Sequence, residues 1–351
     1  MEEFIIENLR KIMDIDSESK GDMDEIIEFT TSLLEDMGLE CRVLEGENFN
    51  PVIIASHGRG GVCFSGHLDT VPLGDGWEHE QGEIEDGKIY GRGALDMKGP
   101  CVSAIAAGKK LIEKDVPFSL IFTTDEEITM NGALEAASEP EVTEAPAVVV
   151  VEPTAKLVVT QEKGVYQFEI RTKGINAHAS MPEKGDNAIM KMVSIIENLD
   201  SKGKVPATKN EMTCAVNVIE AGDATNVIPK RCRVEVDVRF PPSFTKSELK
   251  DHLFGDIDEV FDLDVIQYLD AVKLDEDMAC VKKMLEIADT ELWSVPYGTE
   301  MVRFAEYNEN TFIFGPGEVS SAHQPDEYID LTHLFEIVDM YVEYAEAMIE
   351  S

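Results

Sequence analysis

The stretch Ser65-Gly66-His67-Leu68-Asp69-Thr70-Val71-Pro72 sets an imidazole and a carboxylate two residues apart. It follows Gly61-Val62-Cys63-Phe64, which reads as a buried strand. On an extended backbone residues i and i+2 face the same side, so His67 and Asp69 emerge together at the strand's carboxyl end. Such a pair can hold a cation or pass on a proton, although a polar surface turn would use the same residue types. The pattern recurs along the chain. The apolar run 119–123 ends in Asp125, Glu126 and Glu127, the run 147–151 ends in Glu152, and 311–314 leads through Gly-Pro-Gly to His323. A glycine-rich loop, 91–99, carries Asp96 just ahead of an apolar helix. Ligands of open α/β sheets bind beyond the carboxyl ends of the strands, so these groups are expected around one crevice.

Asp69, Asp96, Glu126, Glu127 and Glu152 would bring five negative charges together. Like charges at contact repel and raise one another's pKa. Two divalent cations would leave about one negative charge, once the ions' own charge is counted. Arg92 and Lys98 are the nearby cations in sequence, but they sit on long flexible stems. Mixed His and carboxylate donors suit zinc, with cobalt or manganese as replacements. The glycine loop lacks both G-x-x-x-x-G-K-[ST] and G-x-G-x-x-G, so a phosphate cradle is not expected.

Positioning these groups requires a sheet and its covering helices. Helical spacing of apolar residues covers 2–13 and 22–37, β-rich runs lie near 41–44 and 51–55, and 99–114 reads as a buried helix with Pro100 in its first turn. A helix over 331–349 closes the chain. The alternation predicts an α/β fold, a mostly parallel mixed sheet flanked by helices. Residues 164–268 differ. They read β (166–172), α (187–199), β (213–219), β (232–239), α (246–253), β (264–268), the order of a ferredoxin-like α+β sandwich. The expected organisation is a discontinuous catalytic domain, 1–163 plus 269–351, with 164–268 inserted as a lid or dimerisation domain.

Composition narrows the classes. The chain has 351 residues, 43% of them hydrophobic, which is enough for a substantial core. No uncharged apolar stretch reaches the length of a membrane span, and Met-Glu-Glu-Phe lacks the basic start of a signal peptide, so a cytoplasmic protein is expected. The net charge of −40 repels nucleic acid and anionic membranes. The six cysteines are scattered and form no C-x-x-C pair, which predicts free thiols.

Taken together, "SGHLDTVP" (65–72), "YGRGALDMKGP" (90–100), "TTDEE" (123–127), "VEPT" (151–154), "AHASMPEKGDNAI" (177–189), "GDATNVIP" (222–229), "VDVRFPP" (236–242) and "GPGEVSSAHQPDE" (315–327) resemble the M20 family of metallopeptidases and amidohydrolases. The resemblance implies a zinc-peptidase-like catalytic domain and a dinuclear centre. Asp96 would bridge two metals, with His67 and Glu152 completing one and Glu127 and His323 the other. Asp69 would orient His67, and Glu126 would be the general base of amide hydrolysis. His178 and Asn226 would donate hydrogen bonds to the oxyanion. The resemblance further implies a cis peptide between Asp96 and Met97 and a homodimer through the inserted domain. The implied substrate is a small N-acyl amino acid.

Within the family, "AHQPDEY" (322–328) and "YGTEM" (297–301) are most like acetylornithine deacetylases. Thr299 and Glu300 would then lie near the substrate, Glu300 meeting an ammonium group, and Arg239 would bind a carboxylate or form an ion pair inside the small domain. A succinyl-diaminopimelate desuccinylase, an aminoacylase or a dipeptidase is the close alternative, and a non-catalytic metal-binding homologue is the alternative of another class.

Overall fold

The structure is a computed structural model and describes residues 1–204 and 207–349. The chain divides into two compact units, Met1–Thr160 with Leu274–Trp293 and Thr299–Ser351, and Gln161–Lys273 with Ser294–Gly298. The crossings fall a few residues from those expected, for a local reason. The strand Val158–Glu162 is followed almost at once by the strand Gly164–Lys173, so no turn composition marks the change of unit. The return of Ser294–Gly298 to the second unit carries no sequence signal either.

In the first unit the central sheet runs in the spatial order Glu40–Leu44, Val52–His57, Phe118–Thr123, Val62–His67, Val148–Val150, Thr311–Ile313 and Val158–Glu162. The four inner strands, from Phe118–Thr123 to Thr311–Ile313, are all parallel. They are buried throughout and rich in β-branched and aromatic residues, as strands covered on both faces must be. Because they are parallel, their carboxyl ends point the same way, and the acids that follow them converge.

The helix Lys98–Glu113 packs against this sheet with a face of small residues, Cys101, Ala104 and Gly108. The approach is close. A Cβ on Gly66 would meet Met97 Cε at 2.7 Å and Cys101 Sγ at 2.8 Å, and one on Gly99 would meet the Ala94 carbonyl oxygen at 2.1 Å. Glycine is therefore required at Gly99, where the obstacle is backbone, whereas at Gly66 the side chains of Met97 and Cys101 would have to shift. The closing helix Leu331–Ile349 buries Leu334, Ile337, Val338, Tyr341 and Tyr344 in the same core. A small sheet that no sequence pattern announced pairs Tyr328–Asp330 with Lys88–Tyr90, and that strand with Ile84–Glu85.

The second unit is a four-stranded antiparallel sheet in the order Thr213–Ala221, Arg231–Phe240, Gly164–Lys173, Phe261–Leu269. With the helices Ala188–Lys202 and Lys246–Phe254 it forms a ferredoxin-like sandwich. Asn187 caps the first helix, and Thr245 with Glu248 forms a capping box on the second. Alternation along Arg231–Phe240 sends Cys232, Val234, Val236, Val238 and Phe240 into that unit's core. All six cysteines are free, and among the described residues no helix is long and apolar enough to cross a membrane.

Candidate active site

His67 ends its strand with its side chain buried. Its Nδ1 lies 2.9 Å from the Asp69 carbonyl oxygen and 3.4 Å from Asp69 Oδ1. A proton on Nδ1 donated to that carbonyl leaves the Nε2 lone pair as the free donor. Nε2 faces three carboxylates, Asp96 Oδ1 at 3.2 Å, Glu152 Oε1 at 3.7 Å and Glu126 Oε2 at 3.9 Å. On the other side of Asp96, Oδ2 lies 3.2 Å from His323 Nε2, which is also 2.9 Å from Glu127 Oε1. The two oxygens of Asp96 thus face different histidines. The Asp96–Met97 peptide is cis.

Three trios hold candidate donor atoms that all lie within 4.8 Å of one another: His67, Asp96 and Glu152; Asp96, Glu127 and His323; and His67, Glu126 and Glu127. Among the described residues no Lys or Arg pairs with Asp96, Glu126, Glu127 or Glu152. Electrostatics follow from this crowding. Burial, then repulsion by Glu152, Glu127 and Asp96, holds Glu126 well above the usual carboxylate range despite the attraction of His67. Burial and the Asp96 charge do the same to Glu152. Asp96 itself is held low, because hydrogen bonds from His323 and His67 outweigh its burial. His323 is pushed up to about 10 by Asp96 and Glu127. A crowded set of carboxylates and imidazoles, buried but for the half-exposed His323 and partly buried Glu127 and Asp96, with no fixed cation among them, fits divalent metal ions.

The structure gives Asp69 more to do than orient His67, whose nearer contact is the Asp69 carbonyl. Its fully buried carboxylate accepts the Ser19 hydroxyl at 2.7 Å and the peptide N–H groups of Glu126 and Glu127, each at 3.2 Å. It therefore sets the backbone that presents both glutamates. Asp125 shapes the rest of that loop, its carboxylate accepting the Thr129 hydroxyl at 2.8 Å and Gly132 N–H at 3.0 Å. Lys98 is buried as well, donating from Nζ to the Ile15 carbonyl at 2.9 Å, and burial pushes it down to about 8.

The expected substrate groups are placed differently. His178 and Asn226 belong to the second unit, where both are exposed on neighbouring segments joined by the His178–Val227 bridge and an Ala179 N–H to Asn226 carbonyl bond of 2.9 Å. Arg239 is engaged within its own strand, Nε donating to Asp237 Oδ1 at 2.7 Å and Nη2 to Oδ2 at 3.0 Å. Of the two alternatives for Arg239, the ion pair is the one observed. Thr299 and Glu300 are buried, and Glu300 has no exposed surface. The carboxylate expected to face a substrate ammonium is thus enclosed by the protein's own groups in this structure. Neither of its oxygens completes a hydrogen bond, and burial pushes it up to about 8, only partly opposed by the neighbouring Thr123 hydroxyl.

The chain is similar to known proteins over most of its length. The profile of peptidase family M20/M25/M40 matches residues 63–347. An acetylornithine deacetylase of Aliivibrio fischeri is 30% identical over 328 residues, covering 87% of this chain and 86% of its own. A probable succinyl-diaminopimelate desuccinylase of Staphylococcus epidermidis is 25% identical over 394 residues, covering 97% of each chain. Among solved structures, the aminopeptidase PepT of Bacillus cereus superposes with a TM-score of 0.81 at 21% identity, covering 99% of each chain. The YXEP protein of Bacillus subtilis, described as a dinuclear metal binding peptidase, gives 0.73 at 18% identity, covering 99% of this chain and 98% of its own.

Proposed function

Because the chain belongs to peptidase family M20/M25/M40, we propose that it is a dinuclear metal-dependent amide hydrolase that removes the acyl group from an N-acyl amino acid. The observation that carries the proposal is the division of Asp96, Oδ1 toward His67 and Oδ2 toward His323, each at 3.2 Å. His67 and Glu152 would hold one cation with Asp96, and Glu127 and His323 the other. Zinc suits these donors, with cobalt or manganese as substitutes. Bound there, two such ions would supply an acidified water and a polarised amide carbonyl.

The chain's own residues do the rest. Glu126, held in place through its N–H on Asp69, takes a proton from the attacking water and returns it to the departing amine nitrogen. His178 and Asn226 would donate to the oxygen that becomes negative. A homodimer through the second unit belongs to the same reading, supported by the exposed Met190, Ile219 and Ile266 on that unit.

N-acetylornithine is the substrate we favour, supported by the relatives of that activity and by "AHQPDEY". N-succinyl-diaminopimelate is the second reading, favoured by a relative that matches over 97% of both chains. The test is hydrolysis of N-acetylornithine, N-succinyl-diaminopimelate, N-acetylmethionine and a dipeptide by protein stripped of metal and by protein reloaded with zinc, cobalt or manganese. Metal-dependent release of ornithine in clear preference supports the deacetylase, and preference for another member moves the substrate while keeping the chemistry. Stripped protein as active as reloaded protein would refute the metal-dependent mechanism.

A further inference from the structure

We propose that Glu327 is a positioning residue that fixes Asp96 and His323 relative to each other. The proposal rests on the dinuclear reading above. Glu327 lies four residues after His323 and has no exposed surface. Its Oε1 accepts the peptide N–H of Leu95 at 3.0 Å and that of Asp96 at 3.1 Å. Its Oε2 accepts Arg92 Nη1 at 2.5 Å, and its carbonyl oxygen accepts Gly91 N–H at 2.9 Å. The next residues, Tyr328–Asp330, continue this contact as a strand paired with Lys88–Tyr90.

One residue thus grips the loop 91–96 at both of its ends. A carboxylate receiving two successive peptide N–H groups sets the plane of the Leu95–Asp96 peptide, and with it the direction of the Asp96 side chain. The same residue's main chain anchors the segment that carries His323, which sits in the left-handed region at φ 63 and has a half-exposed ring. His323 needs such an anchor, because that conformation is uncommon for a residue with a Cβ. Groups that orient metal ligands in this way govern affinity as well as activity.

The test compares Glu327→Gln with Val281→Ala, a cavity in the core of the first unit chosen to give a comparable loss of Tm. Affinity for zinc is read by chelator competition, and geometry by the visible spectrum of the cobalt(II)-loaded protein. Glu327→Gln is expected to weaken binding of at least one ion by about 10–100-fold and to shift the cobalt spectrum. Val281→Ala is expected to keep both. If Glu327→Gln loses Tm but keeps wild-type zinc affinity and spectrum, Glu327 is merely structural and the proposal is overturned. Should Glu327→Gln not fold, Glu327→Asp carries the comparison, with an intermediate loss of affinity expected and wild-type values overturning it. A wild-type chain that takes up no zinc or cobalt overturns the dinuclear reading itself, and this proposal with it.

Discussion

Replacing Glu300 by Gln should leave its signature in the pH dependence of stability. Glu300 is fully buried, and burial holds its carboxyl at about 8 against an ordinary 4.5. The unfolded chain gives up this proton near the ordinary value, whereas the folded chain keeps it until the raised one. Over that window the folded state binds the extra proton. The stabilisation is therefore complete below pH 4.5 and is lost as pH rises toward 8. At about 1.36 kcal/mol per pH unit, the interval corresponds to a loss of about 5 kcal/mol. Glutamine is neutral in both states and loses nothing. Urea unfolding of metal-free wild type and Glu300→Gln should be compared between pH 5 and pH 8, because the difference between the two proteins removes the titration of other groups. The variant is expected to gain several kcal/mol relative to wild type across this range. A difference that stays within about 0.5 kcal/mol would mean that Glu300 is charged in the fold and has found a cation, and the reasoning would fail.

Two further substitutions separate roles inside the cluster. Glu126→Gln should lower kcat by about 10²–10⁴-fold, the range of general base catalysis, with two ions still bound per chain by metal analysis. Loss of an ion instead would make Glu126 a ligand, as the trio with His67 and Glu127 within 4.8 Å allows. Asp69→Asn turns an amide donor toward one of the two peptide N–H groups, which the two carboxylate oxygens accept separately, and removes the charge they share. It should cost about 2–4 kcal/mol, judged from hydrogen bonds to charged groups, and appear as a lower urea midpoint with an unchanged m-value.

Strand ends were the legible part of this chain. An acid straight after four valines, or three acids after 119–123, breaks a buried pattern abruptly, and parallel strands turn such breaks into one crevice. What these groups touch was not legible. The Asp69 carboxylate serves N–H groups 57 and 58 positions away, and Ser19 and Glu327 join the site through tertiary contacts that leave no local trace. The burial of Glu300 was not legible either, because residue type says nothing of burial. Arg239 is different: Asp237 two positions earlier lies on the same face of the strand, so the period of two already offered the pairing that is observed. The small sheet of Tyr328–Asp330 and Lys88–Tyr90 escaped because strands of three residues are too short for alternation to register.

The inner sheet has a consequence for how the site comes into being. Its five proposed ligands stand on five separate segments, and a whole second folding unit is threaded between Glu152 and His323. The donors proposed for one cation, His67, Asp96 and Glu152, all precede that unit, whereas the other cation also needs His323 beyond it, so uptake of the second cation during refolding reports that the segments on both sides of the insertion have met. Ions that bind only the assembled state also resist its disassembly. The arrangement explains as well why so large an insertion is tolerated. The chain leaves and re-enters beside strands whose places are fixed by the sheet, so the ends that matter stay where their neighbours put them, whatever is spliced between.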